Sequence, residues 1–158
     1  MQQLTILNTR DVKRLRELVE KQFGYFPQED YAYFKGENEK ISIVSKDIVQ
    51  VDFKKLIVDK IGLYFAEDMG SEIRLSKEGA QLLGREAFAK GEELCNVVDL
   101  SEEELRTYFQ GQELKRDLGA EKKLVLLRYG GDIIGCAKYK EGIILNFMPK
   151  QHRGEVIV

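Results

Sequence analysis

The stretch GCAKYKEGIILNFMPKQHR, Gly135–Arg153, reads as an apolar strand, a tight turn, a second apolar strand and a basic exit. Alternation along a strand puts residues 134, 136, 138 and 140 on one face and 133, 135, 137 and 139 on the other. Lys138 and Lys140 therefore point the same way. The Glu141-Gly142 pair suits a hairpin turn, since glycine tolerates the positive φ such turns require. Lys150, His152 and Arg153 follow just past the next strand, with Pro149 fixing its exit. Neighbouring strands lie about 4.8 Å apart, so these five groups can line one rim two strands wide. Two readings of that rim are open. It is a set of cations that neutralises phosphates, or it is the solvated outside of a barrel.

Working outward, KKLVLLRY runs to a Gly130-Gly131 turn and IILNFM leads out to Pro149, so three strands form a meander. A final EVIV is a candidate closing strand. Upstream, ELCNVVDL reads as a short buried strand. SEEELRTYFQGQEL opens with Ser101 as N-cap and Glu104 three residues on, a capping box, with Leu105, Tyr108 and Phe109 inward and Gly111 ending the helix. Short strands with one helix predict a small closed or half-closed barrel over residues 85–158.

Residues 1–84 have a different texture. RDVKRLRELVEKQ carries Val12, Leu15, Leu18 and Val19 at helical spacing, extended by Phe23, and Gly24 and Pro27 stop it. YAYFKGENEKISIV reads as a hairpin turning at GENE. KDIVQVDFKKLIVDKI fits either a strand and short helix or one amphipathic helix. IGLYFAEDMGSEIRLS reads as a hairpin turning at Met69-Gly70. SKEGAQLLG predicts a short helix, with Ser76 as N-cap and Gly84 at its C-terminal end. The expected class is α+β: a small N-terminal α+β domain, then a barrel.

Bulk properties narrow the function. The chain has 158 residues, 43% hydrophobic and 33% charged, a globular composition. A net charge of −2 does not mark a nucleic-acid binder, so such a role needs a local patch. Residues 122–158 hold seven Lys or Arg against three acids. A single His rules out the usual four-ligand Cys/His zinc site, and Cys95 and Cys136, inside apolar runs, are expected to be buried reduced thiols. No secretory leader and no apolar run of roughly 20 residues is present, which predicts a cytoplasmic protein. Walker and Rossmann glycine patterns are absent. His152 has no Ser, Cys or carboxylate at a spacing that marks a catalytic set. No catalysis, cofactor or metal is expected. The paired carboxylates at Glu92-Glu93 and Glu102-Glu103-Glu104 read as solvated faces. Arg10, Lys13, Arg14 and Lys21 either extend a basic surface or are simply solvated.

The second half resembles a known family. DLSEEELRTYFQGQEL, followed by GGDIIGCAKYKEGIILNFMPKQHR, is similar to the PUA-like RNA-binding domain that closes RsmF/Sun-type RNA cytosine methyltransferases. That family has a Tyr-Leu-Arg-Gly-Glu-like helix motif, here Tyr108-Phe109-Gln110-Gly111-Gln112, with Arg and Glu replaced. Its Gly-x-x-Lys strand is matched by Gly135-Cys136-Ala137-Lys138. Its closing Lys-Asn-x-Tyr-Pro-Lys-x-x-Arg segment appears from Leu145 to Arg153, keeping Asn146, Pro149, Lys150 and Arg153. More weakly, GLYFAEDMGSEIRLSKEGAQLLG resembles the region before the PUA domain in Nip-type ribosome-biogenesis proteins.

These resemblances imply two domains, a pre-PUA-like unit at 1–84 and a PUA-like barrel at 85–158. They imply a non-catalytic protein that recognises structured rRNA or tRNA, in ribosome biogenesis, rRNA processing or tRNA modification. The expected phosphate contacts are Lys138, Lys140, Lys150 and Arg153, supported by Arg128, Asn146 and His152. The alternative is a protein-interaction module that docks a separately encoded RNA methyltransferase or ribosome-assembly factor. No S-adenosylmethionine loop or catalytic cysteine pair can be placed.

Overall fold

A computed structural model describes residues 4–45 and 62–146. The segment 46–61, whose reading was open between strand-plus-helix and one helix, lies outside the described residues. So do Pro149, Lys150, His152, Arg153 and the EVIV end.

The first half begins with β1 (Thr5–Ile6) and α1 (Thr9–Phe23). Asn8 caps α1 by accepting from the Asp11 amide, and Gly24 ends it in the left-handed region at φ 85°. The helix buries Leu15, Val19 and Phe23, the stripe expected from its spacing. β2 (Tyr31–Lys35) and β3 (Lys40–Ser45) pair antiparallel around the GENE turn. β4 (Leu63–Asp68) and β5 (Ile73–Leu75) form the second expected hairpin. The strands make one sheet in the order β1-β2-β3-β4-β5.

One buried carboxylate ties the helix to this sheet. Asp68 on β4 accepts from Arg14 Nη1 at 2.7 Å and Nη2 at 3.2 Å, from Lys35 Nζ at 3.0 Å, and from the Gly70 amide at 2.9 Å. Burial alone would raise its pKa. The bonds from Arg14, Gly70 and Lys35 outweigh that and hold the carboxyl well below the usual range.

α2 (Lys77–Ala89) is longer than expected. Ser76 is its N-cap, as read, but Gly84 sits in mid-helix instead of ending it. The reason is packing. A Cβ at Gly84 would lie 2.6 Å from Ile133 Cγ1 and 2.7 Å from Ile133 Cβ. Glycine is there so that the helix can lie against the strand carrying Ile133, not to break it.

The second sheet has the order β6-β8-β9-β10-β7. β6 (Val97–Asp99) runs parallel to β8 (Lys123–Tyr129). α3 (Glu102–Phe109) lies between them in sequence and carries the full capping box of Ser101 and Glu104. β9 (Asp132–Lys140) and β10 (Ile143–Ile144) continue the meander, and β7 (Leu114–Lys115) closes the row by pairing with β10. The class is α+β, as expected, and the second sheet with α3 is consistent with a PUA-like unit.

The β8–β9 hairpin is the wall between two cores. Leu124, Leu126, Ile133 and Cys136 join α1, α2 and the first sheet in one cluster. Val125, Leu127, Ala137 and Tyr139 join α3, β7 and β10 in another. Strict alternation misplaces the start of β9. The register shifts so that Leu127 faces Gly135 and Arg128 faces Ile133, skipping Ile134. This bulge moves Ile133 to the Cys136 side, while Ile134 packs against the second core. Two faces buried by different partners explain why LVLL in β8 is a continuous apolar run, not an alternating one.

The cysteines divide. Cys136 is buried, and burial pushes its thiol up to about 12. Cys95 is exposed, contrary to expectation. Its amide donates to the Phe23 carbonyl at 2.8 Å, which pins it against the end of α1, in the segment between α2 and the strand that begins at Val97, and not in a core strand.

Candidate nucleic-acid interface

Four of the expected contact residues lie among those described, and three have partners within the protein. Lys138 shares the Lys140 face, as alternation requires. Its ammonium donates to both Glu72 oxygens, at 2.8 and 3.0 Å, and its side chain is 22% exposed. Glu72 sits in the turn between β4 and β5, so this pair bridges the two sheets. Arg128 makes a two-pronged bond to Asp99, at 2.6 and 3.0 Å, along the parallel β6–β8 ladder. That bond holds the Asp99 carboxyl below its usual range. Asn146 donates from Nδ2 to the carbonyls of Tyr108 at 2.6 Å and Gln112 at 2.9 Å. It thereby ties the end of β10 to the turn that closes α3.

Lys140 is different. It is exposed, and among the described residues no hydrogen bond or ion pair holds its ammonium. The strand register supplies it with neighbours that the sequence reading missed. Ile143 of β10 lies opposite Lys140 of β9 and, on its other side, opposite Lys115 of β7. Directly opposed residues share a face of the sheet. Lys123 lies opposite Tyr139, so one step beyond the ladder Lys122 falls opposite Lys140. Lys115, Lys140 and Lys122 thus form a row across the sheet, on the face opposite the buried Leu114, Tyr139 and Ile144. All three are exposed and have no counterion among the described residues. Strand spacing places Lys115 and Lys140 about 10 Å apart, and Lys140 and Lys122 about 5 Å apart.

The surroundings of the row are fixed. The Tyr139 hydroxyl accepts from the amides of Leu118 at 2.9 Å and Gly142 at 3.2 Å, and donates to the Gly119 carbonyl at 2.7 Å. This holds the loop after β7 against the β9–β10 turn. Arg116, next to Lys115, points elsewhere. It grips Glu104 through Nε and Nη2, both at 2.9 Å, and donates to the Asp99 carbonyl at 2.6 Å. Arg116 and the Ser101 cap bring the Glu104 carboxyl down to about 2 against the opposing effect of burial. The site can therefore present three unpaired ammonium groups across one face of the sheet, an arrangement that suits an extended polyanion. Among the described residues, no His, Cys, Asp and Glu cluster is arranged to hold a metal, and no helix is long and apolar enough to cross a membrane.

Comparison with known proteins places this sheet. Residues 95–153 match the family model of the methyltransferase RsmF PUA domain. The chain is 31% identical over 137 residues to the ribosomal RNA small subunit methyltransferase F of Aeromonas hydrophila. It is 28% identical over 137 residues to the protein of that name from Aeromonas salmonicida. Each match takes in 87% of this chain and 26% of the relative. A match of that length includes much of the N-terminal half as well. The chain spans about a quarter of the length of these relatives. It carries, over residues 95–153, a PUA-like domain resembling the C-terminal domain of RsmF-type methyltransferases.

Proposed function

We propose that this chain is a non-catalytic RNA-binding protein that recognises structured ribosomal RNA, with transfer RNA as the other candidate ligand, and serves RNA modification or ribosome biogenesis in the cytoplasm. The observation that carries the reading is the row Lys115–Lys140–Lys122, free of counterions among the described residues and mounted on the PUA-like sheet. Lys140 is the contact shared with the sequence reading. Lys150, Arg153 and His152, outside the described residues, are proposed as further RNA contacts from the sequence alone. Lys138, Arg128 and Asn146 act instead by holding the surface in shape through Glu72, Asp99 and the end of α3. The match to small subunit methyltransferase F points to small-subunit rRNA.

Fluorescence anisotropy with small-subunit rRNA fragments, and with tRNA as comparison, tests the proposal. Each lysine that pairs with a phosphate adds close to one unit to the slope of log K against log salt. The Lys115→Glu/Lys122→Glu/Lys140→Glu variant should bind at least tenfold more weakly, with a slope reduced by about three. Equal binding by the folded variant refutes the site. Absence of RNA binding at low salt refutes the function.

A further inference from the structure

One face of β9 passes from solvent into the first core between Lys140 and Cys136. Lys140 is exposed, Lys138 is partly covered, and Cys136 belongs to the cluster with α1 and α2. The partners across the ladder follow the same course. Leu124 lies opposite Lys138 and Leu126 opposite Cys136, and both leucines are buried in that cluster. Lys138 therefore stands at the seam between the two halves, about 7 Å along the strand from Lys140. By position it is the next cation after the row Lys115–Lys140–Lys122. What sets it apart is Glu72, which accepts from its ammonium through both oxygens, at 2.8 and 3.0 Å.

The turn that carries Glu72 does not depend on this pair. Asp68 accepts from the Gly70 amide at 2.9 Å, Arg14 donates to the Gly70 carbonyl, and the Met69 amide donates to the Glu72 carbonyl at 2.9 Å. Just beyond it, the Gln22 side chain clasps the Ile73 amide and carbonyl, at 2.7 and 2.8 Å. Glu72 is thus set by backbone contacts of its own beside the lysine row. The Lys138 and Glu72 side chains remain 22% and 32% exposed, so a solute anion can reach the pair. Ion pairs this open to water are weak. A phosphate competes for the same ammonium through the same kind of charge-assisted bond.

We propose, resting on the RNA-binding reading, that Glu72 is a built-in competitor of the RNA backbone: it occupies Lys138, keeps a fourth cation out of the row, and so holds down the affinity of the site. In the wild-type protein Lys138 stays with Glu72 and steadies the seam, while RNA meets the other three lysines. Phosphate contacts carry no sequence information, so Glu72 weakens the hold on every RNA alike. It limits non-specific binding and leaves contacts outside the row to decide which RNA is retained.

Fluorescence anisotropy of the full chain with small-subunit rRNA fragments, over a series of salt concentrations, tests this. Glu72→Ala and the same-sized Glu72→Gln should each bind about two- to fivefold more tightly than wild type, the size of one exposed ion pair. Each should also steepen the slope of log K against log salt by about one. Both should keep the wild-type circular dichroism, because the turn has its own anchors. Glu72→Ala/Lys138→Gln should return affinity and slope to wild type. Glu20→Ala, which removes an exposed carboxylate from α1, should change neither. A pair that only holds shape predicts equal or weaker binding and no steeper slope in the Glu72 variants. That result, with wild type binding RNA, overturns the proposal and leaves the RNA-binding reading standing. An equal gain in Glu20→Ala overturns it in the same way, as does a gain that persists when Lys138 is also replaced. A wild type that binds no RNA at low salt overturns both.

Discussion

Because β8 faces two cores, truncating adjacent residues of it should report on both halves of the protein at once. Leu126 and Leu127 are each 0% exposed, Leu126 in the cluster with α1 and α2 and Leu127 in the cluster with α3. Replacing either by Ala removes three carbons. At about 0.8 kcal/mol per buried methylene the transfer loss is roughly 2.4 kcal/mol. The cavity adds to this, so each variant should lose about 3–4 kcal/mol. For a chain of this size that is a fall in Tm of roughly 6–16 °C. The hairpin is one rigid unit and the Lys138–Glu72 pair bridges the sheets, so each substitution should lower a single transition that every probe sees. Urea unfolding followed by far-ultraviolet circular dichroism and by tyrosine fluorescence provides the assay. Coincident curves, shifted alike by Leu126→Ala and Leu127→Ala with unchanged slope, are expected. Two transitions, one moved by Leu126→Ala alone and the other by Leu127→Ala alone, would refute the shared wall as the source of cooperativity.

Three further expectations follow from named contacts. Asp68→Ala leaves Arg14 and Lys35 without their shared carboxylate and should cost about 3 kcal/mol in urea unfolding at neutral pH. The Asp68 pKa is lowered on folding from an ordinary value of 3.8, so its contribution is complete above that pH and fades as pH falls below it. The gap between wild type and Asp68→Ala should therefore narrow in acid, and a pH-independent gap contradicts the ion-pair account. Gly84→Ala should lower stability by about 1–2 kcal/mol, because overpacking against Ile133 outweighs the better helix propensity of Ala; a stabilised variant would show that α2 does not press on β9. In native protein a thiol reagent should modify Cys95 quickly and Cys136 only on unfolding, since the Cys136 thiol is pushed up to about 12 by burial. Equal rates at the two would contradict the placement of Cys136.

What the amino-acid sequence determined by itself was everything settled within a few residues. The Ser76 and Ser101 caps, the end of α1 at Gly24, and the turns at Gly130-Gly131 and Glu141-Gly142 all rest on contacts spanning five residues or fewer. The α1 stripe was legible for the same reason, and the family likeness rests on residues kept in order. What only the tertiary structure decided was where long-range partners lie. β7 has two residues and β1 has two, too few to announce a strand, and their pairing comes from β10 and β2. Lys138 and Lys140 look alike in sequence. One meets Glu72, 66 residues away, and the other meets no counterion among the described residues. Asn146 reaches a carbonyl 38 residues away, and Lys115 joins Lys140 through a strand between them. Such pairings are set when sheets fold back and two cores close on one hairpin, so the fate of a charged side chain depends on which remote backbone arrives beside it.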